Sequence, residues 1–479
     1  MTLKDKLSAD AGFQYVIDQL EFMSAPGRRC LLQQEWSTDA HALEAEYGRT
    51  DRIAALLGDY PHRAITVIRH QLMQLHDLQG TLQNLARRTT LDEIELFEVK
   101  HLAYLCAETT KAATSADIAD ITALPDVADL FRLLDPDATG LPHFYVYDSY
   151  HPELGPLRRQ LKAKQTLLDG ATNATPDERA ALQREVNDLY EQQQHIAQQV
   201  MQQLSQQLWP HQERLQQAFD RMAYTDLLLA KATLATQQQL CRPRLDGGDA
   251  THLSGLWNPR LRHRNEQQHL RYQPIDISIH SGVCLITGAN MAGKTVLLKS
   301  VGIAQLMAQF GFFVPAAKAQ MQLFDDVAYS IGDEQNEMNG LSSFASEIIK
   351  ISQTVERAAT ERLLILIDEP ARTTNPVEGK AIVQAVATLL DQRPSATLIT
   401  THYSQLGLPC RRLRVRGFVE ELADITLTPS NINRFMDYSL LEDSSDEVPH
   451  EALRIATILG CNPQLIQTAR EKIASSVEH

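Results

Sequence analysis

The stretch Gly288-Ala-Asn-Met-Ala-Gly293-Lys294-Thr295 constrains this chain more than any other. It fits the pattern G-x-x-x-x-G-K-[ST] of a phosphate-binding loop. The apolar run Val283-Cys-Leu-Ile-Thr precedes it, and Val296-Leu-Leu-Lys-Ser-Val-Gly-Ile-Ala-Gln-Leu follows with apolar residues at helical spacing. A buried strand, a tight turn and a helix are therefore predicted in that order. Glycines let backbone N–H groups turn toward a phosphate chain, and the helix N-terminus adds partial positive charge. Lys294 is placed to reach the β- and γ-phosphates, and the Thr295 hydroxyl to ligate Mg²⁺.

Two further strands supply what such a loop needs. Arg362-Leu-Leu-Ile-Leu-Ile-Asp368-Glu369 is an apolar strand ending in two carboxylates. Asp368 suits a Mg²⁺ shell, and Glu369 suits polarising the water that attacks the γ-phosphate. Ala396-Thr-Leu-Ile-Thr-Thr401 is a third strand, running into His402. A histidine at a strand C-terminus stands where ligand groups gather in open α/β sheets, so a γ-phosphate-sensing role is assigned to it. Between these motifs Gly340-Leu-Ser-Ser343 precedes a helix over about 344–359. That turn reads either as an anion site or as a plain helix cap.

The order of phosphate loop, Gly-x-Ser-Ser-Phe-x-x-Glu turn, Asp-Glu strand and Thr-His-Tyr strand resembles the ATPase domain of the MutS family. Ile286-Thr-Gly-Ala-Asn-Met-Ala-Gly-Lys-Thr, Phe312-Phe-Val-Pro-Ala316 and Asp368-Glu-Pro-Ala-Arg-Thr-Thr-Asn-Pro-Val-Glu-Gly379 carry the likeness, which is strong over about 250–475. It continues more weakly upstream, in Ala223-Tyr-Thr-Asp-Leu-Leu-Leu-Ala-Lys-Ala232. The resemblance implies an α/β P-loop NTPase of ABC-like, MutS type, using ATP and Mg²⁺. It implies nucleotide contacts from Gly288, Ala289, Asn290, Met291, Ala292, Gly293, Lys294, Thr295 and Val296, and metal ligation by Thr295 and Asp368. Catalytic roles fall to Glu369, His402 and Lys294. MutS-like ATPases pair head to tail, so Gly340 and Ser343 would complete the site of a partner, in a homodimer or a heterodimer with a related subunit. Arg372 and Thr374 would lie near the seam. Ala289 replaces the family's usual proline and Ala292 a usual glycine; both are small enough to spare phosphate binding.

Upstream, residues 1–240 read as almost wholly helical, with sparse proline and glycine, and the resemblance implies that they form an all-α lever and clamp domain. A helical hairpin is expected over about 156–206, with Thr175 as N-cap and Pro176 at the first helical position of its returning arm. Leu182, Val186, Leu189, Ile196 and Val200 form a short coiled-coil seam, with Gln193 at the vacant step. The expected organisation is thus 1–240 helical, 241–445 ATPase and 446–479 a helical dimerisation tail.

Charge bears on partners. The net charge is −15, and over 151–206 six Lys/Arg stand against seven Asp/Glu. A neutral, glutamine-rich arm suits a protein or helix–helix assembly better than a polyanion, whose binding depends on neutralised phosphates. Arginines cluster at 242–271 and at 411–416, where solvated faces and ion pairs are the expected reading. No candidate appears for the Phe-x-Glu wedge with which MutS repair enzymes unstack a base; Phe418-Val-Glu420 lies beyond the ATPase motifs. The six scattered cysteines fit reduced thiols, no apolar run reaches the ~18 residues of a membrane span, and a cytoplasmic location is expected. Two function classes follow. The first, which the neutral arm, the acidic charge and the missing wedge favour and which is the expectation adopted, is ATP-driven remodelling of a protein, such as the cobalamin-dependent lysine 5,6-aminomutase that short MutS-related ATPases with a similar Ala-Arg-Thr-Thr-Asn-Pro segment reactivate. The second, the family default, is a DNA-binding ATPase of repair or recombination acting on mismatched or branched DNA.

Overall fold

The computed structural model describes the chain apart from residues 8–10, 59–61, 172–174, 246–247, 290–291, 332–342, 419–435, 446–452, 454–455, 458–459 and 478–479. The chain divides into two compact units, 1–20 with 34–51 and 234–479, and 21–33 with 52–233.

Among the described residues two sheets lie in the first unit. The larger has six strands in the order β5(Asp326–Ser330), β6(Leu363–Asp368), β7(Ala396–Thr400), β3(Gly282–Thr287), β8(Arg411–Phe418), β9(Met436–Glu442). All neighbours are parallel except β8 and β9. The smaller joins β2(Ile275–His280), β1(Ala250–Leu256) and β4(Lys318–Gln320) in antiparallel fashion. Continuous apolar runs make the central strands, as expected where helices cover both faces of a parallel sheet. Leu363, Leu364, Ile365, Leu366 and Ile367 are all buried, and Val283, Leu285, Ile365, Ile367, Ile399, Val383 and Leu390 belong to one core cluster.

The other face is closed by helix Lys294–Gln309, which is buried almost all round. Its cover comes from the beginning of the chain. Phe13 stacks on Phe310 with centroids 5.9 Å apart, and the Trp36 ring meets Phe310 edge-on at 5.4 Å. Tyr47 Oη donates to Ala308 O at 2.7 Å, and Trp36 Nε1 donates to Phe324 O at 3.0 Å. Phe13 and Phe310, both fully buried, each contribute about 1.5–3 kcal/mol through apolar burial. The contiguous 1–240 helical domain expected from sequence is therefore not how the chain partitions. Helical character does not reveal which core a helix will cover, and residues 1–20 and 34–51 belong to the sheet-bearing unit.

The second unit is helical. Helix Glu93–Ser115 opens with a reciprocal capping box between Asp92 and Glu95. Lys100 is fully buried there, donating to Asp135 Oδ1 at 3.0 Å, His143 O at 2.7 Å and Tyr147 Oη at 3.0 Å. The hairpin has arms Leu154–Gly170 and Pro176–Leu208. Thr175 caps the second arm, accepting from Glu178 N at 3.3 Å, with Pro176 at the first helical position as read from sequence. Val186, Ile196 and Val200 are buried in the seam, while Leu182, Leu189 and Gln193 are half-buried. No helix among the described residues is long and apolar enough to cross a membrane.

Candidate functional site

Register brings the site together. In the β6–β7 pair Asp368 faces Thr400, and in the β3–β7 pair Ile286 faces Thr400. The C-terminal ends of three parallel strands therefore stand nearly level, at the edge where open α/β sheets bind ligands. β3 leads into Gly288, whose φ of +147° favours glycine; a Cβ there would also stand 3.1 Å from Val415 Cβ. Gly293, at φ +77°, is the left-handed N-cap of helix Lys294–Gln309. Both glycines of the motif are thus required by backbone geometry. Ala289 and Ala292 are buried, and Ala292 N donates to Ala289 O at 3.1 Å, so the two departures from the family pattern fit inside the turn.

Lys294 is 5% exposed. Its Nζ donates to Gly288 O at 2.8 Å and Ala289 O at 3.2 Å and lies 3.3 Å from Glu369 Oε1. Thr295 Oγ1 donates to Asp368 Oδ2 at 2.6 Å. The other carboxylate oxygen, Asp368 Oδ1, accepts from Thr400 Oγ1 at 2.6 Å, and Thr400 Oγ1 accepts from Glu369 N at 2.9 Å. One threonine thus orients both carboxylate residues. Sequence reasoning misses Thr400; its only signal there is a hydroxyl at the end of an apolar strand.

Beyond β6 the chain turns sharply. Glu369 and Ala371 hold φ of +45° and +59°, conformations that cost non-glycine residues about 1–3 kcal/mol each and cluster at functional sites. Arg372 Nη1 lies 3.5 Å from Glu369 Oε2, so this arginine, expected near a dimer seam, reaches a carboxylate of its own chain. His402 is exposed, and its ring lies 4.3 Å from that of Tyr403. Partial desolvation holds its pKa below the ordinary histidine value; Glu369 opposes this while Lys294 and Arg372 reinforce it. A neutral imidazole keeps one N–H donor and one acceptor. Tyr403 Oη donates to Ala371 O at 3.2 Å, tying this strand end to the turn after Glu369. On the far side of the loop, the Tyr438 ring of β9 stands against Gly293, 3.3 Å from where a Cβ would be.

The structure therefore brings Lys294, Thr295, Asp368, Glu369 and His402 to one sheet edge within one unit. Val296 follows in the first turn of the helix, half-buried, its carbonyl accepting from Ser300 Oγ at 2.7 Å. Asn290, Met291 and Gly340 lie outside the described residues. Ser343 begins helix Ser343–Arg357, but its side chain is likewise outside them.

This loop, strand and carboxylate arrangement can be compared with known proteins. Residues 284–476 match the family model of MutS domain V. The DNA mismatch repair protein MutS of Thermus aquaticus is 36% identical over 200 residues, covering 41% of this chain and 24% of the relative. The Endonuclease MutS2 of Gemmatimonas aurantiaca is 31% identical over 297 residues, covering 60% of this chain and 34% of the relative. The DNA mismatch repair protein MutS of Natronomonas pharaonis is 34% identical over 195 residues, covering 40% of this chain and 22% of the relative. The similarity supports membership of the MutS family. The chain spans about a quarter to a third of the length of these relatives. Their names speak of DNA mismatch repair and of an endonuclease; the expectation of an aminomutase partner finds no support in them.

Proposed function

We propose that this chain is a MutS-type ATPase whose nucleotide cycle acts on DNA. The observation that carries the ATPase reading is the meeting of Lys294, Thr295, Asp368 and Glu369 at the C-terminal ends of β3 and β6. The donor set fits Mg-ATP. Thr295 and Asp368 present a hydroxyl and a carboxylate oxygen side by side, the hard ligands Mg²⁺ prefers beside substrate phosphates. Bound Mg²⁺ would supply charge neutralisation at the phosphates. The N–H groups at the start of helix Lys294–Gln309 and the Lys294 ammonium would hold the phosphate chain, which must displace the carbonyls of Gly288 and Ala289 from the lysine. Glu369, released from Lys294, would accept the proton of the attacking water. Neutral His402 would donate to the terminal phosphate, and Thr400 would hold Asp368 and Glu369 in place as a positioning residue.

In the dimeric arrangement of the family, Gly340 and Ser343 would complete a partner's site, the segment after 446 would help pair the subunits, and turnover would move the helical unit. The DNA assignment rests on the names of the MutS and MutS2 relatives. The neutral hairpin, the net charge of −15 and the lack of a base-unstacking wedge in the sequence are what favour a protein partner instead.

The test is ATP turnover measured with and without mismatched or branched duplex at several salt concentrations. Stimulation that weakens with salt is expected; its absence at every salt concentration refutes the DNA assignment. Glu369→Gln should retain ATP binding and lose turnover, and normal turnover in that variant refutes the role of Glu369.

A further inference from the structure

The two arginine clusters are alike in sequence and differ in the structure. The strand β8 cluster is neutralised by acids of the neighbouring segment. Arg411 Nη2 lies 2.5 Å from Glu442 Oε1, Arg416 Nη1 3.2 Å from Asp437 Oδ2, and Arg414 Nε 3.7 Å from Asp443 Oδ2. In the earlier cluster Arg242 meets Glu44 at 2.8 Å, and Arg262 both meets Glu266 at 2.9 Å and lies over the Trp257 ring at 4.9 Å. Arg244 lies outside residues 259–273, its backbone bridged to Gln320, and Arg260, Arg264 and Arg271 remain. All three are exposed, and among the described residues none has a carboxylate partner.

Their backbone is firmly set. Helix Pro259–Gln267 has proline at its first position, and the Asn258 side chain accepts from Leu261 N at 3.1 Å. Arg260 and Arg264 are four residues apart and so share a face. His263 lies on the same side, its ring 6.2 Å from Tyr15. Over 259–273 four arginines stand against one glutamate, Glu266, which Arg262 occupies. We propose that this helix face, carried by Arg260 and Arg264 and joined by Arg271 a few residues beyond it in sequence, docks on the phosphate backbone of DNA. In a chain of net charge −15 an uncompensated arginine-bearing face is a local positive patch that attracts a dense anion. Guanidinium forks match phosphate oxygens in a bidentate way, and neutralised phosphates supply most sequence-independent affinity. The hairpin, with six basic against seven acidic residues, offers no comparable surface. The inference rests on the DNA reading above and moves the contact to the nucleotide-binding unit.

Fluorescence anisotropy with a labelled duplex, read across salt concentrations on the intact chain, tests it. Three proteins are compared: wild type, the triple variant Arg260→Ala/Arg264→Ala/Arg271→Ala, and the charge-matched hairpin variant Lys162→Ala/Arg179→Ala/Arg184→Ala. The slope of log K against log salt changes by about 0.9 per phosphate contact in duplex DNA, so the triple variant should lose about 2–3 from it and at least tenfold in affinity at low salt. The hairpin variant should keep the wild-type slope, and DNA-free ATP turnover should survive in all three. Single variants Arg260→Ala and Arg264→Ala, each lowering the slope by about 0.9, carry the same test should the triple variant fail to fold. Wild-type binding with an unchanged slope in the triple variant overturns the proposal and leaves the DNA reading standing. No binding by wild type at any salt concentration overturns both.

Discussion

Replacing Gly379 by alanine tests how tightly the turn beyond Glu369 is held. Gly379 lies in the first turn of helix Pro376–Asp391, donating its N–H to Asn375 O at 2.8 Å. A Cβ there would stand 2.1 Å from Tyr403 Oη, 2.9 Å from Tyr403 Cζ and 3.0 Å from Ala371 O. Helix propensity alone would make the substitution favourable by up to about 1 kcal/mol. The crowding should reverse that sign. Tyr403 must swing away and lose its 3.2 Å hydrogen bond to Ala371 O, about 0.5–1.5 kcal/mol, and overpacking adds about 1–3 kcal/mol. A net loss of about 1–3 kcal/mol is expected. Because the Tyr403 ring lies 4.3 Å from that of His402, turnover should fall as well. Tyr403→Phe removes the atom in sharpest conflict and leaves the nearest one at 2.9 Å. Gly379→Ala should therefore cost less in the Tyr403→Phe background, with a coupling of about 1 kcal/mol or more. Urea unfolding of the four proteins of this cycle, alongside ATP turnover, measures both effects. If Gly379→Ala stabilises the protein that keeps Tyr403, or costs the same in both backgrounds, the steric reasoning is refuted.

Lys294→Ala should abolish nucleotide binding by calorimetry while the fold survives, since the alanine leaves Gly288 O and Ala289 O to solvent or to backbone donors. Thr295→Val removes the 2.6 Å donor to Asp368; ATP affinity should lose most of its Mg²⁺ dependence, and a titration with unchanged Mg²⁺ dependence refutes metal ligation at this pair. Acid should destabilise the protein through its histidines. Desolvation holds His101, His280 and His402 below the ordinary value of about 6.5, so below that pH the unfolded chain binds more protons and stability falls as pH falls. Melting temperature followed from about pH 7.5 to about 5.5, a window that brackets that ordinary value, should decline, and more shallowly in His101→Asn/His280→Asn; a flat or rising profile in the wild type contradicts the assignment.

Much of the candidate site is legible in the sequence because its information is local. Gly288 and Gly293 mark φ values of +147° and +77° that favour glycine, and such demands are written in residue type. Thr175 and Pro176 announce a helix start for the same reason: a cap needs only its own turn. The ends of β6 and β7 can be read from apolar runs that stop at Asp368 and His402. Thr400 is not legible, because its importance comes from lying opposite Asp368 in a strand pair that the sequence does not align. Nor is the sorting of arginines. Arg411, Arg414 and Arg416 find acids on or just beyond β9, whereas Arg260 and Arg264 find none among the described residues.

By itself the order of residues determined a glycine-bounded turn between a strand and a helix, a carboxylate pair ending a second strand, and a helical hairpin with a seam. Each of these follows from contacts within a few turns or from the period of apolar side chains. Tertiary structure alone decided that residues 1–20 and 34–51 join the sheet-bearing unit, where Phe13, Trp36 and Tyr47 cover helix Lys294–Gln309. It also set the Thr295 hydroxyl 2.6 Å from the Asp368 carboxylate and left one arginine face without acids among the described residues. Periodicity states that a side chain will be buried or exposed. Which distant surface buries it, or which distant charge answers it, depends on the packing of the whole.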